Sequence, residues 1–349
     1  MENLNETVLD AIEPGLTSRL VSRRAAIRGG ASMGGKLAAG LAMGSVPVAL
    51  AAVARDLSAQ TQADIVDALQ FAFILENLEN EFYRAVLGIS AVAAQNELFA
   101  FVRGQMTGEE RDAFRQIQKH EQQHVDHLRA TLPAFGAAPP MLSASDFDFT
   151  GGNGRTGSAG PYAQVTRNFE FILLTAQLLE DTGVRAYKGQ LGRFLVPGNP
   201  AADAVLEDAL RIHSVEARHA SKIRRLRRAR DLGNSALRFS GYVRGAESTA
   251  AGSGNLTNLP TEVVAALNQA GGGGSGPVSY PEGNTRHVVF NGTSEVAIDV
   301  ASLPNLEMLG PSAARAGALT QAFDEGLTKA EVLTIIRGFI RDDAARGLP

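Results

Sequence analysis

Two short motifs place acidic and imidazole side chains at a fixed spacing. Glu121 and His124 stand three residues apart, and Glu216 and His219 repeat this Glu-x-x-His spacing later in the chain. On an α-helix, residues three apart differ by about 60° around the axis and about 4.5 Å along it, so both side chains of a pair can reach one point. Carboxylate oxygen and imidazole nitrogen suit divalent transition metals. The motifs therefore indicate metal binding.

Two further glutamates occupy equivalent places in an internal repeat. The first copy is the stripe Ile65, Leu69, Ala72, Glu76, Tyr83 and Leu87, and the second is Phe169, Leu173, Ala176, Glu180, Tyr187 and Leu191. These spacings mark one face of a helix. Because each face is mainly apolar, it is expected to point into a core, and Glu76 and Glu180 are expected to point there with it.

The charge of these side chains favours a pair of metal ions. Four carboxylates in a bundle interior would repel one another and lose hydration, at a cost of several kcal/mol per ion. They must therefore be protonated, paired with cations or bound to metal. Two divalent cations would neutralise all four, and the two histidines would give each ion one nitrogen ligand. A metal-free bundle with a polar seam is the alternative.

Four stretches of helical periodicity are available to position these residues: 62–88, 108–132, 162–192 and 201–231. Short connections join the first to the second and the third to the fourth, whereas a loop over 133–161 separates the two hairpins. This is the connectivity of a ferritin-like four-helix bundle with one long crossover, so the predicted fold class is mainly α. We assign residues 56–231 to this bundle.

The sequence beyond the bundle divides into a linker and a small tail. Residues 232–280 are rich in Gly, Ser, Asn and Thr and are predicted to be a flexible linker. Residues 281–349 are predicted to form a small α+β region. Its hairpin pairs 286–291 with 295–303, and its final helix starts with a capping box formed by Thr328 and Glu331.

The first 55 residues are typical of an export signal. Arg23 and Arg24 precede a weakly apolar stretch over 29–54, which ends in small-x-small sites. The pair resembles a twin-arginine signal, which predicts an exported, periplasmic or cell-envelope protein. An amphipathic N-terminal helix or a membrane anchor is the alternative.

Composition excludes several other classes of function. The 349 residues include no cysteine, which excludes disulfides, thiolate metal sites and iron–sulfur clusters. The net charge of −4 gives no support to a nucleic-acid partner, because such binding depends on neutralising phosphates.

Residues 62–230 resemble the ferritin-like superfamily of bacterioferritins, rubrerythrins and manganese catalases. The run from Leu75 to Tyr83 is most similar to exported ferritin-like proteins, some described as desiccation-associated. The resemblance implies that Glu76 and Glu180 are terminal or bridging ligands and that Glu121 and Glu216 bridge two ions, iron or manganese. His124 and His219 would each bind one ion.

The same resemblance implies a function and its partners. A di-metal centre would handle oxygen or peroxide, with ferroxidase, peroxidase or catalase chemistry, in envelope stress protection. The alternative is a non-enzymatic structural or interaction protein of the envelope that uses the bundle as a scaffold. Envelope association and homo-oligomerisation both remain open.

Several residues near the motifs have two interpretations. Tyr83 and Tyr187 are either core aromatics or hydrogen-bond partners of the ligands, and Glu79 is a neighbouring polar group or an added ligand. His213 either touches the site or is solvated or hydrogen-bonded elsewhere. His120 and His127 are expected at the surface. The basic run Lys222, Arg224, Arg225, Arg227, Arg228 and Arg230 is expected to be a solvated face rather than an anion site.

Overall fold

The computed structural model describes residues 58–154, 160, 162–230, 286–291, 293–299 and 325–342. The predicted export signal over 1–55 and the predicted linker over 232–280 lie outside the described residues. Within the described residues, no helix is both long enough and apolar enough to cross a membrane.

Four long helices form the bundle: α1 (Ala59–Leu87), α4 (Gly108–Thr131), α5 (Phe169–Gln190) and α6 (Pro200–Arg230). Helix α1 packs mainly on α4, and α5 packs mainly on α6. The two hairpins are joined by one long crossover, so the predicted mainly α fold with a four-helix bundle is confirmed.

Local capping explains where three of these helices begin. The Ser58 side chain accepts a hydrogen bond from the backbone of Thr61 at the start of α1, while Thr107 and Glu110 form a reciprocal capping box at the start of α4. These side chains satisfy backbone N–H groups that have no partner inside the helix. Helix α5 begins after Asn168, whose side chain accepts a hydrogen bond from the backbone N–H of Glu170, and not at residue 162 as the periodicity predicts.

The later start of α5 and the path between α1 and α4 differ from the sequence expectation. Residues Ala163–Thr166 form a 3-10 turn before the Asn168 cap. The connection from α1 to α4 was expected to be short, but it contains two helices of its own, α2 (Ala93–Leu98) and α3 (Ala100–Arg103). Gly88 ends α1 in the left-handed region, at φ 80°, which a residue with a side chain rarely adopts.

The apolar core consists of two clusters that lie on opposite sides of the motif residues along the helices. On α4, Phe114 belongs to one cluster and Leu128 to the other, and Glu121 lies between them. On α6, Ala209 and Ile223 flank Glu216 in the same way. The acidic residues therefore form a polar layer inside an otherwise apolar bundle.

The described part of the tail packs against the bundle. Strands β1 (Arg286–Phe290) and β2 (Glu295–Asp299) form an antiparallel hairpin in which Phe290 pairs with Glu295. Helix α7 (Lys329–Ile336) begins with the capping box predicted for Thr328 and Glu331. Beyond α7, Ile340 forms an isolated bridge with Phe147 of the crossover, so the tail contributes to the same core.

Candidate metal centre

The six predicted ligands lie together in the polar layer. Their ligand atoms form two groups, and within each group all of them lie within 4.8 Å of one another. One group is Glu76, Glu121, His124 and Glu216, and the other is Glu121, Glu180, Glu216 and His219. Glu121 and Glu216 belong to both, which is the position that a bridging carboxylate needs. All four glutamates are fully buried, at 0% exposure.

His124 directs one ring nitrogen at the first group. Its Nδ1 lies 2.9 Å from Glu76 Oε2, 3.2 Å from Glu121 Oε2 and 3.3 Å from Glu216 Oε1. One imidazole nitrogen offers either a single lone pair or a single hydrogen. It cannot satisfy three carboxylate oxygens with hydrogen bonds, so this geometry suits a nitrogen that shares a cation with them.

His219 repeats the arrangement in the second group. Its Nδ1 lies 2.7 Å from Glu121 Oε1, 3.2 Å from Glu180 Oε2 and 3.9 Å from Glu216 Oε1. Despite these short separations, the angles do not meet hydrogen-bond geometry. The Nδ1 atom, Glu180 Oε2 and both oxygens of Glu216 are buried without a hydrogen-bond partner.

Buried polar atoms without hydrogen-bond partners indicate whether these side chains are suited to bind a metal. Buried polar atoms in native proteins almost always have a partner, because leaving one unpaired costs about 1–3 kcal/mol. Here several orphaned atoms converge at one place, and all of them are carboxylate oxygens or imidazole nitrogen. This donor set fits divalent iron, manganese or a similar ion.

Without a cation, the electrostatics of the layer are unfavourable. Burial raises the pKa of Glu121 to about 7, and together with the neighbouring carboxylates it raises the pKa of Glu216 well above its ordinary value. Burial lowers the pKa of His219, but the negative charge of Glu180 and of the other close carboxylates outweighs burial and raises this pKa to about 11. The pKa of His124 is raised by the same balance of burial against Glu76 and its neighbours.

Two tyrosines hold the outer glutamates by hydrogen bonds that cross between helices. Tyr187 on α5 donates its hydroxyl to Glu76 Oε1 on α1, at 2.5 Å. Tyr83 on α1 donates to Glu180 Oε1 on α5. Burial and the adjacent carboxylates raise the pKa of both phenols, so both hydroxyls keep their protons. Of the two interpretations from the sequence, the structure supports the hydrogen-bonding one.

Glu79 is a fifth buried carboxyl beside the layer. It is 3% exposed, and burial together with the charge of Glu216 raises its pKa well above the ordinary value. Gly183 makes the space for this arrangement, because a Cβ atom there would lie 2.9 Å from Glu216 Oε2 and 3.2 Å from Glu79 Oε1. Gly183 was not among the predicted site residues, and its only signal in the sequence was a glycine about four turns into a buried helix.

His120 and His127, which were expected at the surface, are only partly exposed, and each contacts a residue of α6. His120 is half-buried, and its Nδ1 lies 2.9 Å from Nε2 of His219, with the two rings stacked at a centroid distance of 5.2 Å. Its ring reaches across the interface between α4 and α6, which residue type and helix face do not reveal. His127 is also half-buried and pairs with Asp208 of α6 at 3.2 Å.

His213 lies outside both groups of ligand atoms. Its Nδ1 is 3.0 Å from the backbone oxygen of Val184, in agreement with the hydrogen-bonded alternative.

The basic run of α6 is only partly solvated, so the expected solvated face was wrong for two of its members. Arg224 and Arg227 are 4% and 7% exposed. Arg224 donates to Asp181 Oδ2 of α5 at 2.7 Å, and Arg227 donates to Gln177. Helix α5 covers this side of α6, and its polar side chains pair with the buried guanidinium groups.

Comparison with known families agrees with this architecture. Residues 64–229 match the family model of the ferritin-like domain. No curated protein and no solved structure matches the chain significantly. The matched segment spans the four helices that carry the polar layer.

Proposed function

We propose that the ferritin-like domain of residues 64–229 holds two divalent metal ions, iron or manganese, and uses them to react with oxygen or peroxide. The observation that carries the proposal is the pair of overlapping ligand groups that share Glu121 and Glu216. Two neighbouring ions need carboxylates that can bind both of them, and Glu121 and Glu216 belong to both ligand groups. The ferritin-like domain itself is known for this ligand set.

The charges of the proposed centre balance. Glu76, Glu121, Glu180 and Glu216 bring four negative charges into a fully buried layer. Two divalent ions cancel them and remove the need for charged histidines. His124 and His219 would then be neutral ligands through Nδ1, one for each ion. Iron or manganese ions bound there supply the electrons that reduce oxygen or peroxide.

The protein side chains position the ligands and exclude water. Tyr187 and Tyr83 orient the outer glutamates through their hydroxyls, and the two apolar clusters shield the layer from solvent. Burial and the charge of Glu216 raise the pKa of Glu79 well above its ordinary value in the metal-free protein. Its carboxyl group could therefore hold a proton beside the ligands.

Elemental analysis of the purified full chain tests the metal content. We expect two iron or manganese ions per chain. Glu180→Ala and His219→Ala should each lose at least one ion, whereas His213→Ala, outside both groups, should keep two. A folded protein without a bound transition metal would contradict the proposal and leave the scaffold function. Full occupancy in both ligand variants would contradict the ligand assignment.

Oxidation assays then test the chemistry. Ferrous oxidation in the presence of oxygen or peroxide, and peroxide consumption by the manganese-loaded protein, separate ferroxidase or peroxidase activity from catalase activity. A metal-loaded protein that is inactive in all of these assays would make the metal structural.

We also propose that the protein acts outside the cytoplasm, in envelope protection against oxidative or desiccation stress. The Arg23–Arg24 pair before an apolar stretch supports export. Replacing both arginines by lysine should retain the full-length protein in the cytoplasmic fraction. Unchanged export of this variant would refute a twin-arginine route.

A further inference from the structure

An apolar cavity lies one helical turn from the proposed metal centre. Ala72, Leu128 and Ile212 contribute to its wall. Ala72 precedes Glu76 by four residues, Leu128 follows His124 by four, and Ile212 precedes Glu216 by four. Four residues correspond to about one turn, or about 6 Å along a helix. Three ligand-bearing helices therefore place the cavity in the layer next to the ligands.

Tyr187 connects the cavity to the centre. Its side chain lines the cavity, and its hydroxyl donates to Glu76 Oε1 at 2.5 Å. At another part of the wall, His127 and Asp208 pair at 3.2 Å. Their side chains are 34% and 26% exposed, so the cavity extends from solvent-accessible residues to a residue that touches a ligand.

The internal repeat shows that the cavity belongs to one half of the bundle. The offset of 95 residues that relates the Glu-x-x-His motifs pairs Ala209, which lines the cavity, with Phe114. Phe114 is fully buried and packs edge-on against Tyr83, with ring centroids 5.0 Å apart. In one half of the bundle, the ring of Phe114 packs against Tyr83. In the other half, the methyl group of Ala209 leaves space near Tyr187.

The size and walls of the cavity select its occupant. Its volume is about 30 Å³, which is room for about two water-sized molecules. Most of the wall is aliphatic or aromatic. Among its polar side chains, Tyr187 binds Glu76, His127 binds Asp208, and Thr131 binds a backbone oxygen. Gln190 donates through Nε2 to Glu295, which leaves its Oε1 as one acceptor without a partner among the described residues. Water needs two to four polar partners, so this space favours a small apolar molecule.

We propose that this cavity binds dioxygen and delivers it to the metal centre on the Glu76 side. The proposal rests on the proposed function and makes dioxygen, rather than peroxide, the oxidant for which the bundle is built. Dioxygen is apolar and diatomic, so it matches both the volume and the walls. Hydrogen peroxide would lose its hydrogen bonds with water and gain few in return.

Ala209→Phe tests the proposal because it places at this position the residue that the other half carries. Xenon binding, followed by xenon NMR or in a pressurised crystal, reports on the cavity independently of metal, since apolar cavities bind xenon. The wild type should bind xenon next to Tyr187, and Ala209→Phe should lose that binding. Ala209→Ser is the matched control, because it changes polarity slightly without filling the cavity and should keep xenon.

Kinetics with two oxidants complete the test. With iron loaded, Ala209→Phe should raise the KM for dioxygen and slow the dioxygen-driven oxidation, while the peroxide-driven oxidation stays at the wild-type rate. If Ala209→Phe does not fold, Ala209→Leu fills less space and should give smaller effects with the same selectivity.

The outcomes separate failure of this inference from failure of the proposed function. Three results would each overturn the dioxygen cavity without affecting metal binding. They are a wild type that binds no xenon, an Ala209→Phe variant that is slowed equally with both oxidants, and a variant that has lost xenon binding but keeps its dioxygen kinetics. A folded wild type that binds no transition metal would overturn the proposed function, and the delivery role with it, whatever the xenon result.

Discussion

Removing the metal should make the stability of the protein fall as the pH rises. In the metal-free protein, the pKa values of Glu121 and Glu216 are raised. A carboxyl with a raised pKa in the folded state keeps its proton while the unfolded chain has lost it. Unfolding is therefore increasingly favoured as the pH rises from the ordinary carboxyl pKa to the raised one. The raised pKa of His219 acts in the same direction, because its favourable charge is lost as the pH rises towards about 11.

Glu121 gives the magnitude. Its pKa rises from 4.5 to about 7, and one pKa unit corresponds to about 1.4 kcal/mol. Proton linkage then lowers the free energy of unfolding by about 2.5 kcal/mol between about pH 5 and about pH 8 from this residue alone. Glu76, whose pKa is lowered by His124 against the effect of burial, has the opposite sign, but its stabilisation is lost only on acidification below the ordinary carboxyl pKa.

Urea unfolding of the chelated full chain at several pH values measures this slope. Glu121→Gln should reduce the slope and be more stable than the metal-free wild type at the alkaline end. Glu110→Gln is the matched control: the pKa of Glu110 is lowered by its hydrogen bonds with Arg230 and Thr107, which outweigh burial. It is ionised across this range, so the control should leave the slope unchanged.

Metal should reverse the effect, because two divalent ions replace the protons. The loaded protein should be most stable at neutral or alkaline pH, where its ligands are deprotonated. A metal-free protein whose unfolding free energy is flat or rises from about pH 5 to about pH 8 would refute the electrostatic account of the layer.

Three further substitutions test other parts of the structure. Glu325→Ala removes the carboxylate that lies 2.6 Å from the buried guanidinium of Arg185. The substitution should lower the free energy of unfolding, measured in urea, by about 3–5 kcal/mol. An unchanged unfolding midpoint would show that this ion pair does not anchor the tail. Gly183→Ala places a Cβ atom 2.9 Å from Glu216 Oε2 and should lower the metal occupancy measured by elemental analysis. Full occupancy would mean that Glu216 can shift to make room for the added methyl group. Tyr187→Phe should keep both metals but lower the free energy of unfolding of the metal-free protein by about 1–3 kcal/mol. Loss of a metal in this variant would show that the hydroxyl is needed to hold Glu76 in place.

The residues of the site were predictable because they repeat. Glu76 and Glu180 interrupt apolar stripes at equivalent positions, and the two Glu-x-x-His pairs do the same on the other helices. Periodicity could therefore assign them to helix faces that point inward. His120 could not be assigned in this way, since its contact with His219 depends on how closely α4 and α6 approach.

The packing of the tail could not be predicted for a related reason. The capping box at Thr328 is local and was visible in the sequence. The backbone hydrogen bond from Leu327 to Arg185 joins residues far apart in the chain, as does the contact of Leu327 with Gly189. A Cβ atom on Gly189 would lie 1.9 Å from the oxygen of Leu327, so this close approach requires glycine. Such a contact leaves no pattern within either segment.

The internal repeat also explains why the two proposed metal positions should differ chemically. Their ligands are equivalent, with one outer glutamate, one histidine and one tyrosine each. The surroundings are not: Phe114 packs against Tyr83 and His120 stacks on His219 on one side, while a cavity borders Tyr187 on the other. Phe114 and Ala209, about two turns before Glu121 and Glu216, thus leave one position enclosed and the other accessible. Oxidant would therefore approach the proposed centre from the side of Glu76 and His124, where the cavity borders Tyr187.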